Sequence, residues 1–334
     1  MSPDPPGLTV RTVTVFLTEH DCHPTRFHDR VSAACALAND LRKDLTDSDI
    51  PVQTIRISLP SPAVFLNPSA ALVSAKALDT SPIDFVSLGT LLPGAPPAFL
   101  TPSFFSSVLA ATSKVSLTLT TTLPNGVPSP TAVSLAAHVI RRLASIHPSG
   151  ITNFRFAALA NVRPDGPFFP ASFSSSSNSS APNFRVALGI QAATLLHQQP
   201  LQRLTARIET AATGLRQACK RVPDVTFDFS TAPLPGWETS AAAAIARFAG
   251  GNRDSFGVSG TLTAAASVAT AIDRAVFPKA GFCGLMLAVA EDNGLAICRE
   301  KLSLSTLLMT SAVCGTGLDV SYSALRNHEI VCSR

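Results

Sequence analysis

The residues best suited to chemistry lie near the end of the chain, in the segment 281–319. Glu291 and Asp292 are adjacent carboxylates that follow an apolar run, and two carboxylates can act as acid and base when their surroundings differ. Cys314 lies in the sequence Ala-Val-Cys-Gly-Thr-Gly, where glycines let the backbone approach a ligand closely. A thiol there could be a nucleophile or proton donor, and the alternative is a packed cysteine in a tight turn. Asp319 ends the segment.

A glycine-containing turn precedes a predicted helix further upstream. Gly257, Ser259, Gly260 and Thr261 form this turn, and backbone amides at a helix N-terminus can bind a phosphate or a carboxylate. The glycine spacing matches neither the Walker A motif nor the dinucleotide-binding fingerprint. Ser259 or Thr261 could instead cap the helix. The turn is therefore a candidate anion site without a specific motif.

Two loops rich in proline and glycine combine aromatic and charged residues. Arg163, Asp165 and Phe168 belong to the first loop, and Trp237 and Glu238 belong to the second. The single tryptophan could line a pocket, although aromatic residues in loops are more often packed against the core. The two loops could supply walls and polar groups of one site.

The N-terminal sequence Glu-His-Asp-Cys-His at 19–23 contains residue types that bind metals. It follows a predicted strand, and ligands of parallel α/β folds bind at the carboxyl ends of strands. The spacing matches no compact zinc motif, and helix capping is the alternative. A metal-dependent hydrolase that combines this cluster with Glu291 and Asp292 is one possible function.

Composition limits the class of protein. The chain has 334 residues, of which 46% are hydrophobic and 14% charged, which favours a large core. We find no apolar span of about 18 residues. The net charge of +4 is scattered, so nucleic-acid binding has little support. The N-terminus lacks the features of a signal peptide, and the seven cysteines include no Cys-x-x-Cys pair. These features predict a soluble cytoplasmic protein with reduced thiols.

Apolar periodicity predicts an α/β fold. Strands at 8–17 and 52–58 flank a helix at 27–45, which indicates a parallel βαβ unit. A serine-rich segment at 172–182, predicted to be a mobile loop, divides the chain into halves at 8–171 and 183–334 that open in the same way. Further strands are predicted at 83–88, 115–122, 154–159, 184–190, 225–230 and 283–289, and further helices at 131–146, 201–218, 240–249, 261–277 and 302–309.

The order and spacing of several segments resemble the microbial family catalogued as domain of unknown function 711. The matching segments are 10–15 (Val-Arg-Thr-Val-Thr-Val), 160–173, 229–244, 257–274, 281–292 (from Gly-Phe-Cys-Gly-Leu-Met-Leu) and 310–319. The resemblance implies a single domain, 1–334, with a ten-stranded α/β barrel like that of pyruvate formate-lyase, built from two five-stranded halves. It also implies that the loop containing Cys314 lies inside the barrel.

The chain differs from this family pattern and from pyruvate formate-lyase itself. The C-terminal glycine motif that carries a radical is missing, so glycyl radical chemistry is not expected. Relatives tend to have Gly-Asp-Ser where this chain has Trp-Glu-Thr-Ser at 237–240. The family supplies no assigned reaction.

These features predict a cofactor-independent isomerase or lyase that acts on a small organic substrate by carboxylate acid/base chemistry. The alternatives are a small-molecule binding or regulatory protein without turnover and the metal-dependent hydrolase. No nucleic-acid or membrane partner is expected, no metal ligands are assigned, and homo-oligomerisation is left open. The predicted catalytic residues are Asp165, Glu238, Glu291, Asp292 and Cys314. The predicted substrate-binding residues are Arg163, Phe168, Trp237, Gly257, Ser259, Gly260, Thr261 and Asp319.

Overall fold

A computed structural model of the chain describes residues 8–175, 183–198, 200–289, 291–298 and 302–314. The strands are β1 Val10–Phe16, β2 Val52–Ser58, β3 Phe85–Leu91, β4 Val115–Thr120, β5 Phe156–Leu159, β6 Arg185–Ile190 and β7 Thr226–Asp228. The helices are α1 Phe27–Thr46, α2 Pro68–Asp79, α3 Pro102–Ala111, α4 Pro130–Ala144, α5 Ala193–Gln198, α6 Leu204–Ala218, α7 Ala241–Phe248, α8 Thr261–Arg274, α9 Asn293–Ile297 and α10 Leu304–Ser311.

The strands form one sheet in the order β5-β4-β3-β2-β1-β6-β7. Strands β1 to β5 run parallel to one another, which confirms the predicted parallel βαβ unit. Strand β6 is antiparallel to β1 and parallel to β7. The carboxyl ends of β6 and β7 therefore lie beside the amino end of β1, at the edge of the sheet opposite to the carboxyl ends of the first five strands.

The two faces of the sheet differ in polarity. Alternate residues such as Val13, Val15 and Ile57 are fully buried in one hydrophobic cluster with the apolar faces of the helices. The other face carries buried hydroxyl side chains, and the loop 161–175 lies across it. Thr14 donates a 3.0 Å hydrogen bond to the Pro167 carbonyl of this loop. The buried hydroxyl residues on this face include Thr12, Thr14, Ser58, Ser87, Ser116 and Thr118.

The predicted ten-stranded barrel is not formed by the described residues. Their sheet has seven strands and is open, with β5 and β7 at its ends. The α/β class is correct, but a closed barrel would need three more strands after β7. In the described part of 229–314 the backbone instead forms four helices and extended loops.

The predicted strand at 283–289 shows why closure fails there. Its amides bind side chains in place of a neighbouring strand, since Cys283 N donates to Asp228 and Gly284 N donates to Ser230 Oγ. Only an isolated parallel bridge joins Phe227 to Lys279. Such side-chain bonds compete with a strand ladder for the same backbone groups.

Sequence patterns do not predict α2 and α3. Both begin with proline directly after a capping residue, and the Asn67 side chain accepts from Ala70 N at 2.9 Å. This arrangement is a common helix start. In the part of the chain that the structure describes, every helix is too short or too polar to cross a membrane.

Candidate functional site

A cleft of about 610 Å³ opens at the carboxyl edge of β6 and β7. Helix α5 follows β6 directly, and the loop 229–240 leads from β7 to α7, so the cleft lies where parallel α/β sheets commonly bind ligands. The residues that line it are His197, Trp237, Glu238, Ala243, Arg247, Gly251, Asn252, Arg253 and Asp254.

His197 is held in one orientation by a backbone carbonyl. Its Nε2 atom lies 2.8 Å from the carbonyl oxygen of Ser240. Because a carbonyl oxygen can only accept, Nε2 must carry the hydrogen, and in the neutral imidazole Nδ1 then carries the lone pair. Among the described residues we find no hydrogen-bond partner for Nδ1. His197 therefore has the arrangement of an oriented proton acceptor.

Two arginines give the cleft fixed positive charge. The guanidinium carbon of Arg253 lies 4.2 Å from the centroid of the Trp237 ring, a cation–π contact that orients both side chains. Arg247, in the last turn of α7, donates a 2.6 Å hydrogen bond to the Leu196 carbonyl. Guanidinium groups fixed in this way suit a carboxylate ligand. Glu238 is exposed at the same cleft.

Asp292 is buried below the cleft and joins two helices. Its Oδ1 accepts from the amides of Gly294 at 2.8 Å and Leu295 at 3.2 Å, at the start of α9. Its Oδ2 accepts from Ala242 N at 3.1 Å, at the start of α7, and the Ser240 hydroxyl donates to Oδ1. The side chain is completely buried. These contacts give Asp292 a capping role at two helices, and its predicted acid/base role stays a prediction.

Glu291 points away from its neighbour and pairs with Arg11 on β1 at 3.3 Å. Arg11 also donates a 2.6 Å hydrogen bond to the Pro233 carbonyl. Because Glu291 and Asp292 bind different groups, the predicted carboxylate pair does not form one acid/base unit. Arg11 is near the start of β1, whereas the cluster 19–23 follows its end, roughly 16 Å further along at about 3.3 Å per residue.

The structure does not bring Glu291 together with the N-terminal cluster, which the predicted metal-dependent hydrolase would use as one metal site. Within that cluster, Asp21 accepts from Thr18 N at 2.8 Å and pairs with Arg30 at 2.6 Å. These contacts fix the turn before α1. In the part of the chain that the structure describes, no three His, Cys, Asp or Glu side chains are grouped so that they could hold a metal ion.

The predicted residues of the first aromatic loop do not line the cleft. Asp165 forms an ion pair with Arg185 on β6 and accepts from Ser175 N at 3.0 Å. Phe168 is only 4% exposed and packs with a small apolar cluster, while Arg163 is exposed. This loop packs on the polar face of the sheet, and the contacts of Asp165 hold it there.

The glycine turn before α8 also lies away from the cleft. Thr261 Oγ1 accepts from Gly257 N at 3.2 Å, Gly260 is the N-cap residue, and Ser259 is exposed. A Cβ atom on Gly257 would contact Leu302 and Thr306, so this turn faces α10.

Only the first residue of the predicted loop 314–319 lies in the part of the chain that the structure describes. Cys314 is buried, with 9% exposure. Gly315, Thr316, Gly317 and Asp319 lie outside the described residues, so the predicted place of this loop inside a barrel stays a prediction.

A clamp between β7 and the loop after Pro278 supports the second half of the sheet. Asp228 is completely buried and accepts hydrogen bonds from the amides of Ser230, Phe282 and Cys283. Burial raises the pKa of the Asp228 carboxyl. Burial, with the nearby Asp228, also raises the pKa of the Cys283 thiol to about 12, so this thiol is protonated at neutral pH. Gly281 lies against the same carboxyl group.

Replacing Gly281 by alanine should lower the free energy of unfolding by about 2–3 kcal/mol. The residue has φ +61°, and a Cβ atom there would lie 2.1 Å from Asp228 Oδ2. Gly214, in α6, has no atom within 4 Å of its Cβ position, so Gly214→Ala should stabilise the protein by about 0.5–1 kcal/mol. Urea unfolding of both variants measures the difference. Equal stability of the two would contradict the clamp.

Trp237 and Glu238 are the two cleft residues that the sequence predicts, and four charged or titratable residues of the cleft carry no such signal. His197, Arg247, Arg253 and Asp254 are isolated in amphipathic helices or polar turns, where such residues are usually solvated. One usable signal was position, since His197 closely follows a predicted strand. Their convergence depends on the packing of α5 against α7, which no local pattern reveals.

The fold and the cleft together define an α/β protein with a cleft at the carboxyl ends of β6 and β7 that is lined by a histidine, two arginines and two carboxylates. The family model described as "Uncharacterised ACR (DUF711)" matches residues 5–321. The chain belongs to this family. No curated protein matches the chain.

Proposed function

We propose that the protein is an isomerase or lyase that moves a proton on a small carboxylic acid bound in the cleft. The observation that carries the proposal is the orientation of His197, whose Nε2 is held 2.8 Å from the Ser240 carbonyl. This contact leaves Nδ1 as the basic atom of a neutral imidazole at a ligand-sized opening.

The other cleft residues have roles that follow from their charge. Arg247 and Arg253 would bind the carboxylate, because each guanidinium is already oriented by a carbonyl or an aromatic ring. Trp237 would form an apolar wall beside the substrate. Glu238, the one predicted catalytic residue that lines the cleft, would donate or accept the second proton.

The proposed step begins at the carbon next to the carboxylate. Nδ1 of His197 takes the proton, and the electron pair of the broken C–H bond moves towards the carboxylate, where the two arginines stabilise the added negative charge. An isomerase returns a proton to a different face or carbon. In a lyase the electron pair forms a carbon–carbon double bond, while a hydroxyl group leaves as water with a proton from Glu238.

Proton exchange tests this proposal before the natural substrate is identified. The full chain is incubated in D₂O with small α-hydroxy and α-amino carboxylic acids, and NMR measures deuterium uptake at the carbon next to the carboxylate. We expect one of these acids to exchange only when protein is present. Trp237, the single tryptophan, reports binding of the same acids by fluorescence. Binding without exchange would instead favour the alternative of a binding or regulatory protein.

Substitution of Arg247 by methionine should weaken binding of such an acid at least about tenfold, because a charge-assisted hydrogen bond is lost. Arg216 provides a matched control, since it also lies in the last turn of a helix and donates to a backbone carbonyl. Tryptophan fluorescence titration measures both variants. If Arg216→Met and Arg247→Met have the same effect, the acid does not bind in the cleft.

A further inference from the structure

Gln191 follows the last residue of β6, and its side-chain oxygen is a buried acceptor. Its side chain is 1% exposed, and Nε2 donates to the Ala232 carbonyl. The carbonyl can only accept, so the amide cannot be rotated to exchange its oxygen and nitrogen. Oε1 then has no hydrogen-bond partner among the residues that the structure describes. Buried acceptors of this kind normally bind a protein donor, an ordered water or a ligand.

A second irregularity lies beside this acceptor. Val10 pairs with Ile190 and Thr12 pairs with Gly189, so Arg11 is an extra residue in β1. Such bulges redirect a side chain and are common next to binding sites. The adjacent carbonyls of Ala232 and Pro233 bind Gln191 and Arg11 respectively.

An ion pair between Arg11 and Glu291 lies next to the bulge. The Glu291 side chain is 22% exposed and lies 3.3 Å from Arg11. Gln191 and Arg11 bind adjacent carbonyls where β1 meets β6, and Glu291 pairs with Arg11, so an amide acceptor, a guanidinium and a carboxylate are neighbours there. None of the three residues lines the cleft described above. A ligand that carries a hydrogen-bond donor and a carboxylate at neighbouring positions matches these groups.

We propose that Gln191, Arg11 and Glu291 form a second binding site, which takes a small α-amino or α-hydroxy carboxylic acid. The Gln191 oxygen accepts a hydrogen bond from the ammonium or hydroxyl group of the ligand, and Glu291 faces the same group. The ligand carboxylate faces Arg11. This site does not depend on the reaction proposed for the cleft.

Three probes of similar size test the site on the full chain. Glycine carries an ammonium group, glycolate carries a hydroxyl group, and acetate carries neither. Calorimetric titration should give an affinity for glycine or for glycolate that is at least about tenfold above that for acetate, and the better probe identifies the donor. Equal affinities, or no binding of any probe, would overturn the proposal and leave an ordered water as the partner of Gln191.

Gln191→Met removes the acceptor at nearly constant length and should abolish the preference over acetate. Arg247→Met, which alters only the cleft, should retain that preference and so separates the two sites. Because loss of the bond to Ala232 could unfold the Gln191 variant, a crystal structure of the wild-type protein with the better probe provides an independent measurement. Its donor should lie within hydrogen-bond distance of Oε1. A probe located elsewhere, or a preference that persists in Gln191→Met, would contradict the proposal.

Discussion

Replacement of His197 by glutamine should slow proton exchange on the substrate by about 100- to 10,000-fold, the usual contribution of a positioned acid or base. The glutamine amide can still donate to the Ser240 carbonyl, so the orientation of α5 is retained. It has no basic nitrogen to take the proton. The deuterium-uptake rate in D₂O measures the loss of activity. Trp237 fluorescence should show a substrate affinity within about threefold of wild type, because the substitution leaves the groups that bind the substrate unchanged.

His138 provides the control for this experiment. It is exposed on α4, and its Nδ1 lies 2.8 Å from the Ser134 carbonyl, so it also contacts a backbone carbonyl but lies outside the cleft. The His138→Gln variant should catalyse deuterium exchange on the acid at the wild-type rate. A wild-type rate of deuterium exchange in His197→Gln would exclude this residue as the base and would leave Glu238 as the candidate.

Replacement of Asp292 by alanine should lower the free energy of unfolding by about 3–5 kcal/mol, because several buried donors lose their acceptor. The side chain is completely buried, and its loss leaves the amides of Ala242, Gly294 and Leu295 without their acceptor. Each unpaired buried donor costs about 1–3 kcal/mol. The starts of α7 and α9 would separate, and the floor of the cleft would lose its support. Urea unfolding followed by circular dichroism measures the change.

Two comparisons decide between the structural role of Asp292 and the acid/base role suggested by sequence. Asp273→Ala removes a carboxylate whose side chain is 88% exposed, and it should change stability by less than about 0.5 kcal/mol. Asp292→Asn retains one acceptor oxygen and should be destabilised less than Asp292→Ala. A fully stable Asp292→Asn without exchange activity would instead restore the acid/base role.

The sheet could be predicted because its strands carry a local signal. In β1 and β2, valine and isoleucine alternate with threonine, arginine and serine, and this period of two identifies both the strand and its apolar face. The segment 283–289 has the same apolar character but contacts the side chains of Asp228 and Ser230. These bonds join residues more than 50 positions apart, so the sequence of the segment alone could not reveal them.

The site could be predicted only where residue type was unusual. Trp237 is the single tryptophan of the sequence, and Glu238 is adjacent to it. Asp292 is one of two neighbouring carboxylates in the sequence, but in the structure it is buried and accepts hydrogen bonds from the first amides of two helices. His197 and Arg247 are unremarkable in sequence, because a contact between α5 and α7 defines their roles.

The antiparallel pairing of β1 and β6 has a consequence during synthesis on the ribosome. Strands β1 to β5 are complete by residue 159, whereas β6 begins at residue 185. The first five strands can therefore assemble while β1 is still an unpaired edge, and exposed edges invite association with other chains. Pairing with β6 covers this edge, so β1 is exposed to association with other chains until residues 185–190 have left the ribosome.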